Sequence, residues 1–184
     1  MAMYGYAGMG IIGLLGFINP DGPNFIGIAL SAIVPFVVSF VLGMLVYKDS
    51  DYEYLNDVVE NQGKLFDFVA QTYPDKDTED FIKTYMTSKT RKSIDEAKAY
   101  VNTMDAKELW EYFTETEKYS LKSGKALDGF MPDWIGEFYA YYQWYYDIPS
   151  VEVLKKVPLD FIKKAYYGLH DLELDLAVQK VGEV

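Results

Sequence analysis

Residues 25–47 read FIGIALSAIVPFVVSFVLGMLVY, a run of 23 residues without one charged side chain. As an α-helix this apolar run reaches roughly 34 Å, at about 1.5 Å per residue. The hydrocarbon core of a bilayer is about 30 Å thick, so the run is long enough to cross it. A buried core helix is the alternative, but most helices of globular proteins touch water on one face and carry charges there. The run therefore predicts a transmembrane helix at about residues 25–47.

Several features inside the apolar run agree with a membrane environment. Pro35 removes one backbone hydrogen bond and predicts a kink, which membrane helices tolerate when neighbouring groups satisfy the freed carbonyl. Gly27 and Ser31 are four residues apart, a spacing that allows another helix to approach closely. A secretory signal peptide fits poorly, because no basic region precedes the run and the run is longer than an apolar signal core.

The residues before the apolar run are also apolar, but they contain repeated glycines and a polar turn. Glycine occupies positions 5, 8, 10, 13 and 16, and the turn lies in GLLGFINPDGPN, residues 13–24. Each interior glycine weakens a helix by about 1 kcal/mol relative to alanine, which disfavours a lone lipid-facing helix. The composition instead favours a segment packed against other membrane helices, or a re-entrant segment enclosed by protein.

The stretch GLLGFINPDGPNFIGIALSAIVPFVVSFVLGMLVYKD, residues 13–49, resembles a known membrane family. It is similar to the last part of the membrane-embedded C component of bacterial phosphotransferase-system sugar permeases, in the glucose, sucrose, trehalose and β-glucoside group. There, a glycine-rich segment and a polar turn precede a final transmembrane helix that ends in the cytoplasm. The resemblance covers residues 1–50. It implies a membrane-anchored component or remnant of a sugar permease, partnered by membrane lipid and by other membrane helices or permease subunits.

The phosphorylated residues of that family have no counterpart in this chain. The family's B domain uses a cysteine, and the chain contains none. Its A domain uses a histidine, and the single histidine here, His170 in YYGLHDLEL, does not match that motif. The absence of cysteine also excludes disulfides, thiolate nucleophiles and cysteine-based zinc sites.

Charge divides the chain sharply after Tyr47. All 17 basic residues and all but one of the 28 acidic residues follow it, the exception being Asp21. The net charge of −11 argues against a nucleic-acid partner, because phosphate attraction needs a basic surface. Lys48 follows the predicted span and favours a cytoplasmic location for what comes after it. We therefore predict an all-α protein of the cell membrane, with a hydrophobic membrane region (1–50) and an acidic, soluble cytoplasmic helical domain (51–184).

Helix boundaries in the predicted domain follow from local signals. The first helix is expected to loosen at Asn61-Gln62-Gly63 and to end at Tyr73-Pro74, because the residue before proline avoids the helical region. Acids at residues 77–80 mark a helix start. Ser93 to Glu96 and Asp105 to Glu108 both have the spacing of a capping box.

The densest aromatic run of the chain is DWIGEFYAYYQWYYDIP, residues 133–149. A helix places Trp134, Phe138, Tyr141, Tyr142 and Tyr145 on one face, with Ile135, Tyr139 and Tyr146 beside them. Such a wide aromatic arc predicts a helix enclosed by others, with tyrosine hydroxyls reaching the surface or internal acceptors. A stacking platform for sugars is the functional alternative.

Single groups in the predicted domain do not form a chemical site. His170, beside Asp171, lacks a second ligand at helical spacing and is expected to be a packing or helix-end residue. The pairs Glu108/Glu111 and Asp51/Glu53 are expected to be solvated surface, as are Lys155-Lys156 and Lys163-Lys164. The sequence thus predicts no catalytic, cofactor-binding or metal-binding residue and identifies no substrate-binding residue. The alternative function is a membrane-tethered helical module that binds a protein partner and has no transport role.

Overall fold

The computed structural model describes residues 25–182, except for the side chains of residues 25–32, 45–54, 99 and 100. The glycine-rich segment and polar turn predicted before residue 25 lie outside this range. The described part is all-α, as predicted, and contains nine helices. They are α1 (Phe25–Thr72), α2 (Thr78–Met86), α3 (Lys89–Asp95), α4 (Ala99–Asn102), α5 (Ala106–Glu117), α6 (Met131–Tyr145), α7 (Ser150–Lys156), α8 (Leu159–Leu169) and α9 (Leu174–Gly182).

The chain divides into two compact units, Met1–Tyr54 and Leu55–Val184. The first unit ends four residues after the end of the predicted membrane region (1–50). The second unit, called the tail unit below, holds the acidic sequence and all eight helices that follow α1.

The first helix ends where the sequence predicts but is not interrupted where the sequence predicts. α1 runs to Thr72, directly before Tyr73-Pro74, and it passes through Asn61-Gln62-Gly63 without a break. The predicted loosening is wrong because Gly63 serves helix packing: a Cβ placed on it would lie 2.7 Å from the Asp133 carboxylate of α6. A Cβ on Gly136 would lie only 2.6 Å from the Gln62 carbonyl oxygen. These paired glycines allow α1 and α6 to cross closely.

Two of three predicted helix starts are confirmed. Asp77 caps α2 by accepting the Asp80 backbone N–H at 3.0 Å. Asp105 and Glu108 form a reciprocal capping box on α5, with bonds of 2.8 and 3.0 Å. The capping box predicted at Ser93 is wrong, because Ser93 lies inside α3 and its hydroxyl donates to the Lys89 carbonyl. Ser88 caps that helix instead.

Aromatic rings of α1, α2 and α5 fill one side of the tail-unit core. Phe81 lies at the centre, with ring centroids 5.6 Å from Phe66, 5.3 Å from Trp110 and 5.7 Å from Phe113, all close to edge-to-face. All four side chains are buried. Pairs of this geometry stabilise a fold by about 0.5–1.5 kcal/mol beyond the area that they bury.

The aromatic helix α6 forms the other side of the core, packing against α7, α8 and α9. The predicted enclosure is confirmed for most of its length, since Trp134, Phe138 and Tyr142 are all buried. The buried Tyr139 hydroxyl donates to the Val157 carbonyl at 3.0 Å, so this phenol meets the internal acceptor that a buried tyrosine needs. Enclosure fails at the C-terminal end, where Tyr145 is 42% exposed.

Candidate functional site

The apolar segment, defined here as residues 33–44 of α1, exposes its side chains to an unusual degree. Phe36 is 72% exposed, Met44 61% and Phe40 58%. Successive residues of a helix point about 100° apart, so exposure at consecutive positions means exposure on every side of the helix. The large exposed side chains are Ile33, Val34, Phe36, Val37, Val38, Phe40, Val41, Leu42 and Met44.

A contiguous exposed surface of this kind indicates an apolar contact with something beyond the described residues. Single exposed apolar residues are ordinary, but extended patches mark interaction with membranes, ligands or other proteins. Pro35 lies inside α1, which continues through it, and a Cβ added to Gly43 would meet no atom within 4 Å. The segment thus has no partner that would bury it among the described residues.

Within the described residues, no helix combines the length and the apolar character that crossing a membrane requires. The predicted span at residues 25–47 lies partly outside that set, because the described side chains there are those of residues 33–44.

An acidic groove of about 630 Å³ lies on the surface of the tail unit. Its carboxylates come from α1 and from the first two turns of α6, and Lys64, which pairs with Glu60 at 2.5 Å, is its one cation. Partial burial raises the pKa of Asp133, and the nearby Asp67 raises it further. Partial burial and then Asp133 raise the pKa of Glu137 in the same way. Four carboxylates and one lysine line the groove, which therefore has an excess of acidic side chains.

Phe130 stands at the edge of this groove and is 82% exposed. The preceding Gly129 has a φ of 61°, a left-handed conformation that glycine adopts without strain. Neither residue was singled out from the sequence. A glycine before an aromatic residue at a helix start is too common a pattern to have indicated this exposure.

His170 lies at the end of α8 and takes part in packing. Its ring stacks on Tyr166 with centroids 4.6 Å apart, and Nδ1 is 2.9 Å from the Tyr166 carbonyl oxygen. Nε2 is 3.3 Å from an Asp171 carboxylate oxygen. A ring nitrogen bonded to its own helix and a single exposed carboxylate give no arrangement for nucleophilic or metal chemistry.

The other charged groups named from the sequence are dispersed. Glu108 belongs to the capping box, and Glu111 lies 4.0 Å from Lys107. Lys155 pairs with Glu152 at 2.6 Å, and Lys163 pairs with Glu79. The side chains of Asp51 and Glu53 lie outside the described set. Among the described residues, no three histidine, cysteine or carboxylate side chains are placed to hold a metal ion.

A buried charged network that was not predicted from the sequence is centred on Arg91, which is only 2% exposed. Its guanidinium lies 3.0 Å from Asp95 and donates to the Gln143 carbonyl oxygen. Asp95 also accepts from the Gln143 amide at 2.7 Å, from the Ser150 hydroxyl at 2.8 Å and from the Ser150 N–H at 3.0 Å. The i,i+4 spacing of Arg91 and Asp95 was a detectable signal, but their burial depends on residues about 50 positions later.

In this Arg91 network the guanidinium is paired with the Asp95 carboxylate, and so its charge is neutralised within the core. The network joins α3 to α6 and to the start of α7 through Gln143 and Ser150. We therefore assign it a structural role, in which removing one partner would leave an uncompensated buried charge.

Comparison of the whole chain with protein-family models, with curated proteins and with solved structures gives no match.

Proposed function

We propose that this protein is a membrane-tethered helical module, in which residues 25–47 of α1 anchor the chain in a lipid bilayer. The single observation that carries this proposal is the exposure of apolar side chains on every side of residues 33–44. A protein partner in a groove would cover one stripe of a helix, whereas lipid covers all sides at once. The uncharged sequence on both sides of the segment extends the anchor to the length of a span.

The tail unit is the part that the anchor would hold at the membrane surface. It has its own buried core of helices α2 to α9 with the end of α1. We propose that it acts by binding a protein partner, with an acidic surface that disfavours nucleic acid.

Residues 1–50 also support a more specific proposal, that the anchor is a component or remnant of a phosphotransferase-type sugar permease with its tail in the cytoplasm. Its support is the sequence of residues 13–49 and Lys48 after the apolar run. Further membrane helices encoded by the reading frame immediately upstream would strengthen this proposal. An unrelated gene there would count against it and would leave the tethered module unaffected.

Flotation of the full-length protein with phosphatidylcholine vesicles tests the anchor. We expect the wild-type chain to float with the vesicles and to resist extraction by alkaline carbonate. The double variant Phe36→Lys with Phe40→Lys should stay in the dense fractions, because each lysine near the centre of a span costs about 2.5–3.5 kcal/mol.

A matched double variant controls for the loss of two exposed aromatic residues. Phe161 and Tyr167 on α8 are 40% and 74% exposed, so Phe161→Lys with Tyr167→Lys makes the same kind of change in the tail unit. This control should float like the wild type. Equal flotation of both double variants, or failure of the wild type to float, would overturn the anchor.

A further inference from the structure

A cavity of about 10 Å³ lies inside the tail unit, beside the buried Arg91 network. Helices α1, α2, α3 and α5 each contribute to its wall, as do Val101 and Asn102 of α4. One water molecule needs a space of about 10–15 Å³ on this measure, so the cavity accommodates one water and nothing larger.

Three buried polar atoms of residues that line this cavity have no hydrogen-bond partner among the described residues. They are Oε1 of Gln62, the hydroxyl of Tyr85 and Nε of Arg91. The three side chains are 3%, 0% and 2% exposed. Leaving a buried polar group unpaired costs about 1–3 kcal/mol, so three around one cavity indicate a shared partner.

The orientation of the Gln62 amide is fixed by its other bond. Its Nε2 donates to the Gly136 carbonyl oxygen at 2.8 Å, and a carbonyl can only accept. Exchanging the two amide atoms would therefore place two oxygens against each other. The atom left without a partner is an acceptor, Oε1.

The cavity thus offers one certain donor, Arg91 Nε–H, one acceptor, Gln62 Oε1, and the Tyr85 hydroxyl, which can act as either. Burial raises the pKa of Tyr85, which keeps this hydroxyl protonated. An anion in the cavity would be repelled by the Gln62 oxygen. A cation would be repelled by the Arg91 guanidinium, whose charge Asp95 already pairs at 3.0 Å. A neutral ligand that both donates and accepts satisfies all three groups.

We propose that this cavity is a binding site for one internal water molecule, held by Arg91, Tyr85 and Gln62. The water accepts from Arg91 Nε–H and from the Tyr85 hydroxyl and donates to Gln62 Oε1. Three bonds are typical of a buried water. The water connects α1 to α2 and α3. The side chains of Gln62, Tyr85 and Arg91 form no direct hydrogen bond with one another that would make this connection.

Water–methyl NOE spectra of the full-length protein in detergent micelles test the site directly. The methyl groups of Val101 line the cavity, whereas those of Val153 are equally buried elsewhere in the core. We expect an NOE to water at Val101 and none at Val153. Because proton exchange at the Tyr85 hydroxyl could relay such a signal, the experiment is repeated on Tyr85→Phe, in which the NOE should persist. Its absence from the wild type, or its loss in Tyr85→Phe, would overturn the proposal.

Thermal unfolding gives a second, independent readout. Tyr139→Phe is the matched control, since that hydroxyl is buried and bonded to the Val157 carbonyl at 3.0 Å. Both Tyr85→Phe and Tyr139→Phe should lower Tm, by about 2–6 °C each, because each deletes a satisfied hydroxyl. A dry cavity predicts the opposite for Tyr85→Phe, where an unpaired hydroxyl would be removed. An unchanged or raised Tm for Tyr85→Phe alone would therefore contradict the internal water.

Discussion

The apolar segment and α6 are both helical and rich in apolar side chains, but their environments are opposite. Residues 33–44 combine aliphatic side chains and phenylalanine and are exposed along their length. α6 combines tryptophan and tyrosine with Asp133, Glu137 and Gln143, and most of it is buried. Tyrosine and tryptophan present an apolar ring to a core and a polar tip to a partner or to water. Polar atoms at the edges of α6 thus accompany its burial in the tail-unit core, whereas the apolar segment has no charged side chain and is exposed.

The largest expected difference is in the free energy of unfolding, between alanine variants of Phe138 in α6 and of Phe40 in the apolar segment. Phe138 is fully buried and its ring packs 5.2 Å from Trp134 and 5.8 Å from Tyr142. Phe138→Ala should lower the free energy of unfolding of the tail unit by about 3–5 kcal/mol, because it leaves a cavity in a packed core. Phe40→Ala should leave that free energy unchanged.

Urea unfolding followed by tryptophan fluorescence measures this difference. The three tryptophans, Trp110, Trp134 and Trp144, all lie in the tail unit, so the signal reports that unit alone. A loss of similar size in Phe40→Ala would contradict the contrast and would mean that the apolar segment contributes to the folded core.

A smaller difference in stability is expected between alanine variants of two glycines, Gly136 in α6 and Gly43 in the apolar segment. In Gly136→Ala the new Cβ would lie 2.6–2.8 Å from the backbone of Gln62 and Gly63, so α1 and α6 must separate. Overpacking of this kind typically costs about 1–3 kcal/mol. Gly43→Ala in the apolar segment meets no atom within 4 Å and should not shift the tail-unit transition.

An exposed helical glycine within the tail unit gives the matched control. Gly168 of α8 also has open space around it, and Gly168→Ala should stabilise the unit by about 0.5–1 kcal/mol through helix propensity. The same urea experiment applies. Equal unfolding midpoints for Gly136→Ala and the wild type would show that the helix crossing is looser than described.

The smallest expected effect is the dependence of stability on pH. It requires titratable groups, and residues 33–44 contain none. A hydrogen bond from Lys122, at 2.5 Å, lowers the pKa of Asp80. Its stabilisation is therefore present above the ordinary aspartate pKa of about 4 and disappears as pH falls through the lowered value. Asp80→Asn should lower stability at pH 7 by less than about 1 kcal/mol, and by less still near pH 3.

Asp133 should show the opposite sign, because its pKa is raised, first by partial burial and then by Asp67. A carboxylate whose folded pKa lies above its unfolded pKa destabilises the fold at higher pH and ceases to do so as pH falls. Asp133→Asn should therefore raise Tm at pH 7, and the gain should vanish near pH 3. Calorimetric scans at pH 7 and pH 3 measure Tm for Asp80→Asn and Asp133→Asn. A shift of Tm in the same direction for both variants at pH 7 would contradict the opposite pKa shifts of the two carboxyl groups.

Local signals in the sequence predicted much of the fold. Pro74, Asp77 and the pair Asp105/Glu108 each act on a neighbouring turn of backbone, so their effect can be recognised without knowing the tertiary structure. The aromatic spacing of residues 134–142 likewise indicated a buried helix, because side chains four apart must share a face.

The predictions that failed concern features that depend on residues outside the neighbouring turn of backbone. Gly63 suggested a weak helix, but its function depends on Gly136, which lies 73 positions further on. Ser93 matched a capping pattern, but Ser88 began the helix earlier and placed Ser93 in its interior. The Arg91 network could not be predicted, since a charged residue is expected at the surface unless its distant partners are known.

The sequence by itself determined the all-α character of the described part, the end of α1 and the starts of α2 and α5, because these depend on composition and on neighbours within one or two turns. Only the tertiary structure decided which helices cross at paired glycines, which charge is buried and which side chains line one small cavity. Those features depend on residues up to 74 positions apart, whose proximity arises only when the helices pack.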